Sequence, residues 1–525
     1  GIKRRASVLL RKPERLKDVT LKPAQELSCG WRRNGWKVSI IKQGDLSPGR
    51  DGGRSQSAHS SADPGDSITS GERRGTGKQI LEGVPMEEQR SLVPKEAKQE
   101  REYPSGIWDW VEPSVWTDKM LAALERGVKG GKWYSLMDKV WSIANLQSAW
   151  KRVAANRGSA GVDRVSIQRY RKDALKRLKR TSELLKQGRY QPAGIKRVWI
   201  AKTGSKEKRP LGIPTVTDRV VQTALRNVIE PIFEVEFCST SYGFRPHRSC
   251  KDALRRVYSL WEQGYRYVVD ADLKGYFDSI PQDKLMQLIE EKIADSGVLH
   301  LIEQYLSQQV IETAARWTPE AGTPQGAVIS PLLANIYLNP LDWLMWEQGY
   351  EMTRYADDFV VMCKSQEEAE GALAVIRKWT EGAGLTLHPT KTRIIDAEVD
   401  SFEFLGYKFK QGKKFPTDKS IQKFRDKIRK ETRRTNGKSL EAIIAKLTPI
   451  QRGWFEYYKH SYWTVFPHED GWIRRRLRSI LKKQEKRKGI ATTYKDNIRY
   501  PNIIFDSRGF FSLARAHKEL CQSLK

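Results

Sequence analysis

Acidic residues are in short supply in this chain of 525 residues. There are 63 Asp and Glu against 94 Lys and Arg, which leaves a formal charge of +31. A surface so biased attracts polyanions, with an affinity that falls steeply as salt rises. Cysteine is scarcer still. Cys29, Cys238, Cys250, Cys363 and Cys521 are scattered with no CxxC pair, which excludes a disulfide framework and a thiolate zinc site and suits a reducing compartment. No apolar run approaches the roughly 18 residues needed to cross a bilayer. The opening Gly1-Ile2-Lys3-Arg4-Arg5 is not followed by the apolar stretch of a signal peptide. The expected setting is cytoplasmic (a bacterial cytoplasm or an organelle interior), with no membrane and a nucleic acid as partner.

What the chain does have is enough apolar residue, 39%, for real cores, and a heavy aromatic load of 17 Trp and 19 Tyr. Its length suggests about two to four domains. Residues 1–46 are a basic segment with Trp31 and Trp36. Residues 47–79 are rich in Ser, Gly, Asp and Arg and are expected to be a disordered linker, because they bury too little to offset chain entropy. A helical N-terminal extension is expected over 80–132, its order resuming near Trp108-Asp109-Trp110 and a helix running from Pro113 to Leu124. From 133 to 410 helical runs alternate with short strands, including Val198–Ala201, Arg209–Ile213 and Tyr265–Leu273, a pattern of α+β type. Residues 411–490 carry Lys- and Arg-studded amphipathic helices over Lys419–Arg434, Ser439–Leu447 and Pro449–Tyr458, then a basic run from Trp472. Residues 491–525 are expected to be a basic tail.

Tyr355-Ala356-Asp357-Asp358, inside the apolar run Met352–Met362, is the densest chemical signal. Two adjacent carboxylates in a half-buried hairpin are costly unless a cation takes them up, and carboxylate oxygens suit Mg²⁺. Alone, the tetrapeptide is also compatible with a solvated turn. Upstream, the strand Val268-Val269-Asp270-Ala271-Asp272 places Asp270 and Asp272 on one face. Nucleotidyl transfer needs carboxylates that hold two metal ions about 4 Å apart, and three acids from two strands suffice. Between these acids, Gly322-Thr323-Pro324-Gln325-Gly326 leads into an apolar helix at Ser330-Pro331, a loop able to bring backbone and Gln325 to a flat ligand. Beyond 411, Trp454, Tyr457, Tyr458, Tyr462 and Trp463 interleave with the basic charge, and Arg474-Arg475-Arg476 form a cluster. Together they suggest phosphate neutralisation beside stacking surface, against the alternative of a solvated helical face.

With these motifs the chain resembles the reverse transcriptases encoded by group II introns, the intron maturases. The matching elements run in order: Asn156-Arg157-Gly158-Ser159-Ala160-Gly161-Val162-Asp163, Arg209-Pro210-Leu211-Gly212-Ile213-Pro214-Thr215, Ser241-Tyr242-Gly243-Phe244-Arg245-Pro246, the strand at Asp272, the Gln325 loop, Tyr355–Asp358, Leu385–Lys391 and Phe404-Leu405-Gly406. The resemblance implies a right-hand polymerase, with fingers and palm built on an antiparallel sheet over 133–410 and an α-helical thumb and maturase domain over 411–490.

It also implies roles. Asp272 resembles the first ligand for two Mg²⁺ ions, with Asp270 the competitor; Asp357 would bridge the ions and Asp358 complete the site. Phe277, five residues after Asp272, looks like the family's gate against a ribose 2′-hydroxyl. Lys202 and Arg209 look like the fingers residues that clamp the incoming triphosphate. Gln325 would touch the nascent base pair, and Lys391 resembles a lysine that protonates pyrophosphate. Arg245 is either structural or a template contact. The implied partners are the intron RNA as ribozyme and template, a DNA target and primer, and dNTPs.

The chain also departs from the pattern. After Ile490 only Cys521 and His517 are present, too few for the Cys- and His-bearing endonuclease module of many relatives, so the primer is expected from elsewhere. Ala201 stands where relatives often have proline before the clamp lysine, and residues 1–130 have no counterpart. The leading reading is an RNA-directed DNA polymerase that also helps its intron splice. A splicing-only maturase and a domesticated reverse transcriptase in phage defence are the alternatives.

Overall fold

A computed structural model of the protein describes residues 108–201, 208–312, 315–435 and 437–523, together with the backbone of 27–30 and 37–40. Lys202, the linker expected at 47–79 and residues 80–107 lie outside the described residues. The chain divides into two units, 1–79 and 80–525. In the first, strands β1 (Leu27–Gly30) and β2 (Lys37–Ile40) pair antiparallel.

In the second unit, the palm sheet follows from a strand that must be buried on both faces. In β5 (Tyr267–Asp272), Val269 and Ala271 enter one hydrophobic core and Val268 enters another. The strand is therefore central, with order β10-β5-β9-β8, where β8 is Glu351–Tyr355, β9 Asp358–Cys363 and β10 Arg393–Asp396. All three pairings are antiparallel. One face packs on the helices Ser330–Glu347 and Gln366–Gly382. The other meets the helix Cys250–Glu262 and a three-stranded sheet of β11 (Ser401–Phe404), β12 (Tyr407–Lys410) and β13 (Lys413–Pro416).

The fingers contain the sheet β4-β3-β6-β7, with β3 Ile195–Ala201, β4 Lys208–Ile213, β6 Val310–Glu312 and β7 Ala315–Trp317. The adjoining helix Val216–Glu234 starts at Thr215, whose hydroxyl accepts from the Asp218 N–H at 3.1 Å. Nearly all its side chains are buried, which explains why its sequence is apolar on more than one face.

The expected helix at Pro113–Leu124 is shorter and later, Asp118–Arg126; residues 112–116 form a turn instead, with the N–H groups of Val115 and Trp116 donating to the Glu112 carbonyl at 2.9 and 3.0 Å. In the thumb, a break expected at Pro449 does not occur: one helix runs Leu440–Tyr458. Leu440, Ile443, Ile444 and Leu447 before the proline and Phe455 after it enter one core, so packing outweighs the missing backbone hydrogen bond. The segment after 490 is not a tail. It forms helices Tyr494–Arg499, Ile503–Asp506 and Leu513–Ser523, and Tyr500, Phe505, Phe510 and Leu513 share the core of Phe466 and Ile473. Among the described residues no helix is long and apolar enough to cross a membrane.

Candidate active site

The antiparallel register of β5 and β9 sets Asp272 directly opposite Asp358. Directly opposed residues in such a ladder put their side chains on the same face, with Cβ atoms about 5 Å apart. Asp270 lies one step back on that face, opposite Val360, with Arg393 Nε 3.9 Å from its carboxylate. Asp357 belongs to the tight turn after Tyr355, which pairs with Asp358. The turn requires Ala356 at φ +62°, a left-handed conformation that costs an L-residue about 1 kcal/mol. The register thus brings Asp272 and the Asp357–Asp358 pair, 85 positions apart in sequence for Asp272 and Asp357, to one end of the palm sheet.

Their electrostatics reflect this crowding. Asp358 is exposed at the start of β9, whose other residues are buried. Desolvation there, with Asp357, Asp270 and Asp272 close by, raises its pKa to about 7. Asp357 is raised as well, first by burial and then by Asp272, with Arg209 and Arg354 opposing the shift. Burial lifts Asp270 to about 6 against the pull of Arg393. Asp272 is met by Lys391, whose Nζ lies 2.6 Å from Oδ2, while the Asp272 carbonyl accepts from His388 N–H at 2.7 Å. No three acidic, histidine or cysteine side chains among the described residues are already gathered tightly enough to cage a metal. The donor chemistry nevertheless fits one: hard oxygen ligands, mutually repelling and charge-raised, are what a divalent cation relieves.

The Gln325 loop joins fingers to palm. Gly322 has φ +88°, and a Cβ there would meet the Asp278 Cα and the Phe277 carbonyl at 2.7 Å. Thr323 N–H donates to that Phe277 carbonyl at 2.7 Å. Gln325 Nε2 donates to Asp278 Oδ2 at 2.9 Å, and its carbonyl accepts from Gly212 N–H on β4 at 2.6 Å. Phe277 is half-buried, edge-on to Tyr276 with centroids 5.6 Å apart. Arg209 is exposed on β4, and its charge reaches both Asp357 and, on the thumb helix Asp418–Glu431, Lys423. Lys419, Lys423 and Lys427 stand exposed on that helix while Phe424 and Ile428 are buried. Cations of β4 and of the thumb helix thus act on the acidic turn and on one another.

Residues 200–409 match the family described as reverse transcriptase (RNA-dependent DNA polymerase), and residues 421–499 match the group II intron maturase-specific domain. The group II intron-encoded protein LtrA of Lactococcus lactis subsp. cremoris is 44% identical over 166 residues, covering 32% of this chain and 28% of LtrA. Protein YkfC of Escherichia coli K12 is 34% identical over 260 residues, 42% of this chain and 68% of YkfC. An uncharacterized 91 kDa protein in the cob intron of Schizosaccharomyces pombe is 33% identical over 258 residues, 38% of this chain and 32% of that protein. The chain belongs to the group II intron reverse transcriptase and maturase family. It spans well under half the length of two of these three relatives.

In this member of the family, several candidate nucleic-acid contacts take other places. Arg245 is buried: Nε and Nη2 grip Glu234 at 3.0 and 2.7 Å, and Nη1 donates to the Cys238 and Ser241 carbonyls at 2.6 and 2.9 Å. These bonds are those of a structural brace, with the guanidinium turned away from solvent. Trp454 is half-buried and stacks on Phe424, centroids 4.5 Å apart, and Tyr458 is buried against Tyr407, so both rings already have partners inside the thumb. Arg474 pairs with Asp506 at 3.1 Å and lies over Phe510, and Arg476 donates to Thr432 Oγ1 at 2.7 Å. Only Arg475 of that cluster is exposed. The misassignment has a physical cause: arginine in a basic helix serves internal carbonyls as readily as phosphates, and spacing does not separate the two.

A further group, Arg354, Asp342 and Asn335, lies buried beneath the acidic turn. Its signal in the sequence is an arginine at an alternation position that otherwise faces the core, immediately before Tyr355.

Proposed function

We infer that this chain is an RNA-directed DNA polymerase that also binds its own group II intron RNA, promoting splicing and copying the RNA into DNA during retrohoming. One observation carries the enzymatic half: Asp272 opposite Asp358 with Asp357 in the adjoining turn, inside the segment that matches reverse transcriptases. The match of 421–499 to the maturase-specific domain supports the splicing half.

Asp272, Asp357 and Asp358 would hold two Mg²⁺ ions, which when bound activate a primer 3′-hydroxyl and stabilise the leaving pyrophosphate. Asp272 is favoured over Asp270 because it is the residue opposite Asp358, whereas Asp270 is one pair deeper and drawn toward Arg393. Arg209 and Lys202 would clamp the triphosphate. Phe277 would close the space beside the sugar, and Gln325 would line the base-pair pocket from a loop tied to β4. Lys391, whose Nζ lies 2.6 Å from Asp272 Oδ2, would give a proton to pyrophosphate. Template and primer would lie between Arg209 and the Lys419, Lys423 and Lys427 row.

Asp357→Asn tests both halves. Primed cDNA synthesis on an RNA template is expected to fall at least about 10³-fold, while intron splicing persists. Equal loss of both with normal folding would refute the separation of roles.

A further inference from the structure

The acidic turn rests on a polar group that neither strand spacing nor the family match assigns. Arg354, at the end of β8, has a fully buried side chain, as does Asp342 on the helix Ser330–Glu347. Arg354 Nε donates to Asp342 Oδ1 at 2.7 Å, and Nη2 donates to Oδ2. The remaining nitrogen, Nη1, points the other way, donating to Asn335 Oδ1 at 3.0 Å and to the carbonyl of Ala356 at 2.9 Å. Ala356 is the strained residue of the turn, and the next residue is Asp357. Asn335 in turn donates from Nδ2 to the Gly243 carbonyl at 2.7 Å.

Gly243 completes the cradle. A Cβ there would collide with the Ala356 backbone nitrogen, so the segment 240–243 can lie flat against the hairpin. Arg354 N–H donates to the Thr240 carbonyl at 3.0 Å and its carbonyl accepts from Tyr242 N–H at 2.8 Å. The side chain and the backbone of Arg354 thus hold the turn from two sides.

A purely structural ion pair would be satisfied by Asp342 alone. Here the carboxylate takes two donors, and the guanidinium directs its remaining nitrogen at the one carbonyl whose orientation sets the path into Asp357. The pair also presents its positive end to the turn, in a dry interior where charges act strongly. We propose that Arg354, anchored by Asp342 and Asn335, is a positioning residue that fixes the Ala356–Asp357 turn and supplies permanent positive charge behind the catalytic carboxylates. This rests on the reading that Asp272, Asp357 and Asp358 are those carboxylates.

The test uses the full chain with a primed RNA template. Arg354→Lys keeps the charge but loses the planar fork. It is expected to lower kcat and raise the Mg²⁺ concentration for half-maximal rate on the order of 10- to 100-fold, with little change in KM for dNTP. Because breaking a buried pair can unfold the chain, the double variant Arg354→Met with Asp342→Leu replaces both partners by apolar groups, a change proteins often tolerate. It is expected to melt near wild type and to bind RNA normally. Mn²⁺ binding followed by electron paramagnetic resonance on the protein without substrates should weaken in parallel with the Mg²⁺ shift. A folded double variant with wild-type kcat and metal dependence would overturn the proposal. So would a loss of activity matched by an equal loss of RNA binding or melting temperature. Full activity in Asp357→Asn would instead sink the underlying assignment of the carboxylates.

Discussion

The site's chemistry depends on single residues that hold unfavourable positions. Ala356 accepts a left-handed backbone, neighbouring carboxylates and desolvation push the Asp358 pKa up to about 7, and Gly243 gives up a side chain so that two backbone segments can touch. Phe277 belongs with them. Half-buried against Tyr276 and held by the Thr323 hydrogen bond to its carbonyl, it has little freedom to move aside for a bulkier sugar. Phe277→Ala is expected to raise incorporation of ribonucleotides by about 10-fold or more relative to deoxynucleotides, which corresponds to roughly 1.4 kcal/mol of discrimination. Competing rNTP and dNTP extension assays would measure it, and an unchanged ratio would remove the gate. That Asp272, Asp357 and Asp358 lie at one end of the palm sheet was readable because acids beside buried strand residues violate the apolar pattern around them. Arg354 was harder to read, since its partner Asp342 and its acceptor Ala356 are fixed only by how the helix Ser330–Glu347 packs beneath β8.

Elements show where spacing suffices and where it does not. The alternation in β5 and the turn residues of the β8–β9 hairpin are local properties, so the palm strands could be read from the residues themselves. Whether a basic helix faces water or its own neighbours is set by tertiary packing. The helix Val465–Gln484 makes the point, because its adjacent arginines 474, 475 and 476 go in three directions. Arg474→Ala removes a half-buried ion pair and should cost about 1–3 kcal/mol of stability, visible as a lower melting temperature. Arg475→Ala should leave stability within about 0.5 kcal/mol. It should weaken RNA binding and reduce the slope of log affinity against log salt by somewhat less than one unit. A stable Arg474→Ala protein, or an Arg475→Ala protein with unaltered salt slope, would reverse these assignments. The run through Pro449 teaches the same lesson: a residue that ends an isolated helix is tolerated where both halves are committed to one core.

Across the whole molecule the surplus of +31 is not evenly spread. At the junction of palm and thumb, Lys414 lies 3.7 Å from the centroid of the Tyr258 ring and Lys413 4.5 Å from that of Tyr462. His460 sits among these cations. Burial, then Lys414, Lys459, Lys251 and Arg255, depress its pKa from 6.5 to about 4. A depressed histidine contributes stability that is present above its ordinary pKa and is lost as pH falls from about 6.5 toward 4. His460→Gln should therefore flatten that part of the acid limb of a melting-temperature profile. Histidine NMR titration should find one ring titrating near 4, moving upward with added salt as the neighbouring charges are screened. A ring titrating at the ordinary value would mean that the cations stand farther off than described.

The folded segment beyond 490 has a consequence for the order in which the protein is made. Palm strands β5, β8, β9 and β10 are complete once residue 396 has been synthesised, and β11–β13, which cover their second face, follow by residue 416. The thumb core cannot close until Phe505, Phe510 and Leu513 have emerged to fill it. Translation thus completes the palm strands first and the residues that close the thumb core more than a hundred positions later. Synthesis itself delays the hold on nucleic acid until the ribosome has moved well past the code for the chemistry.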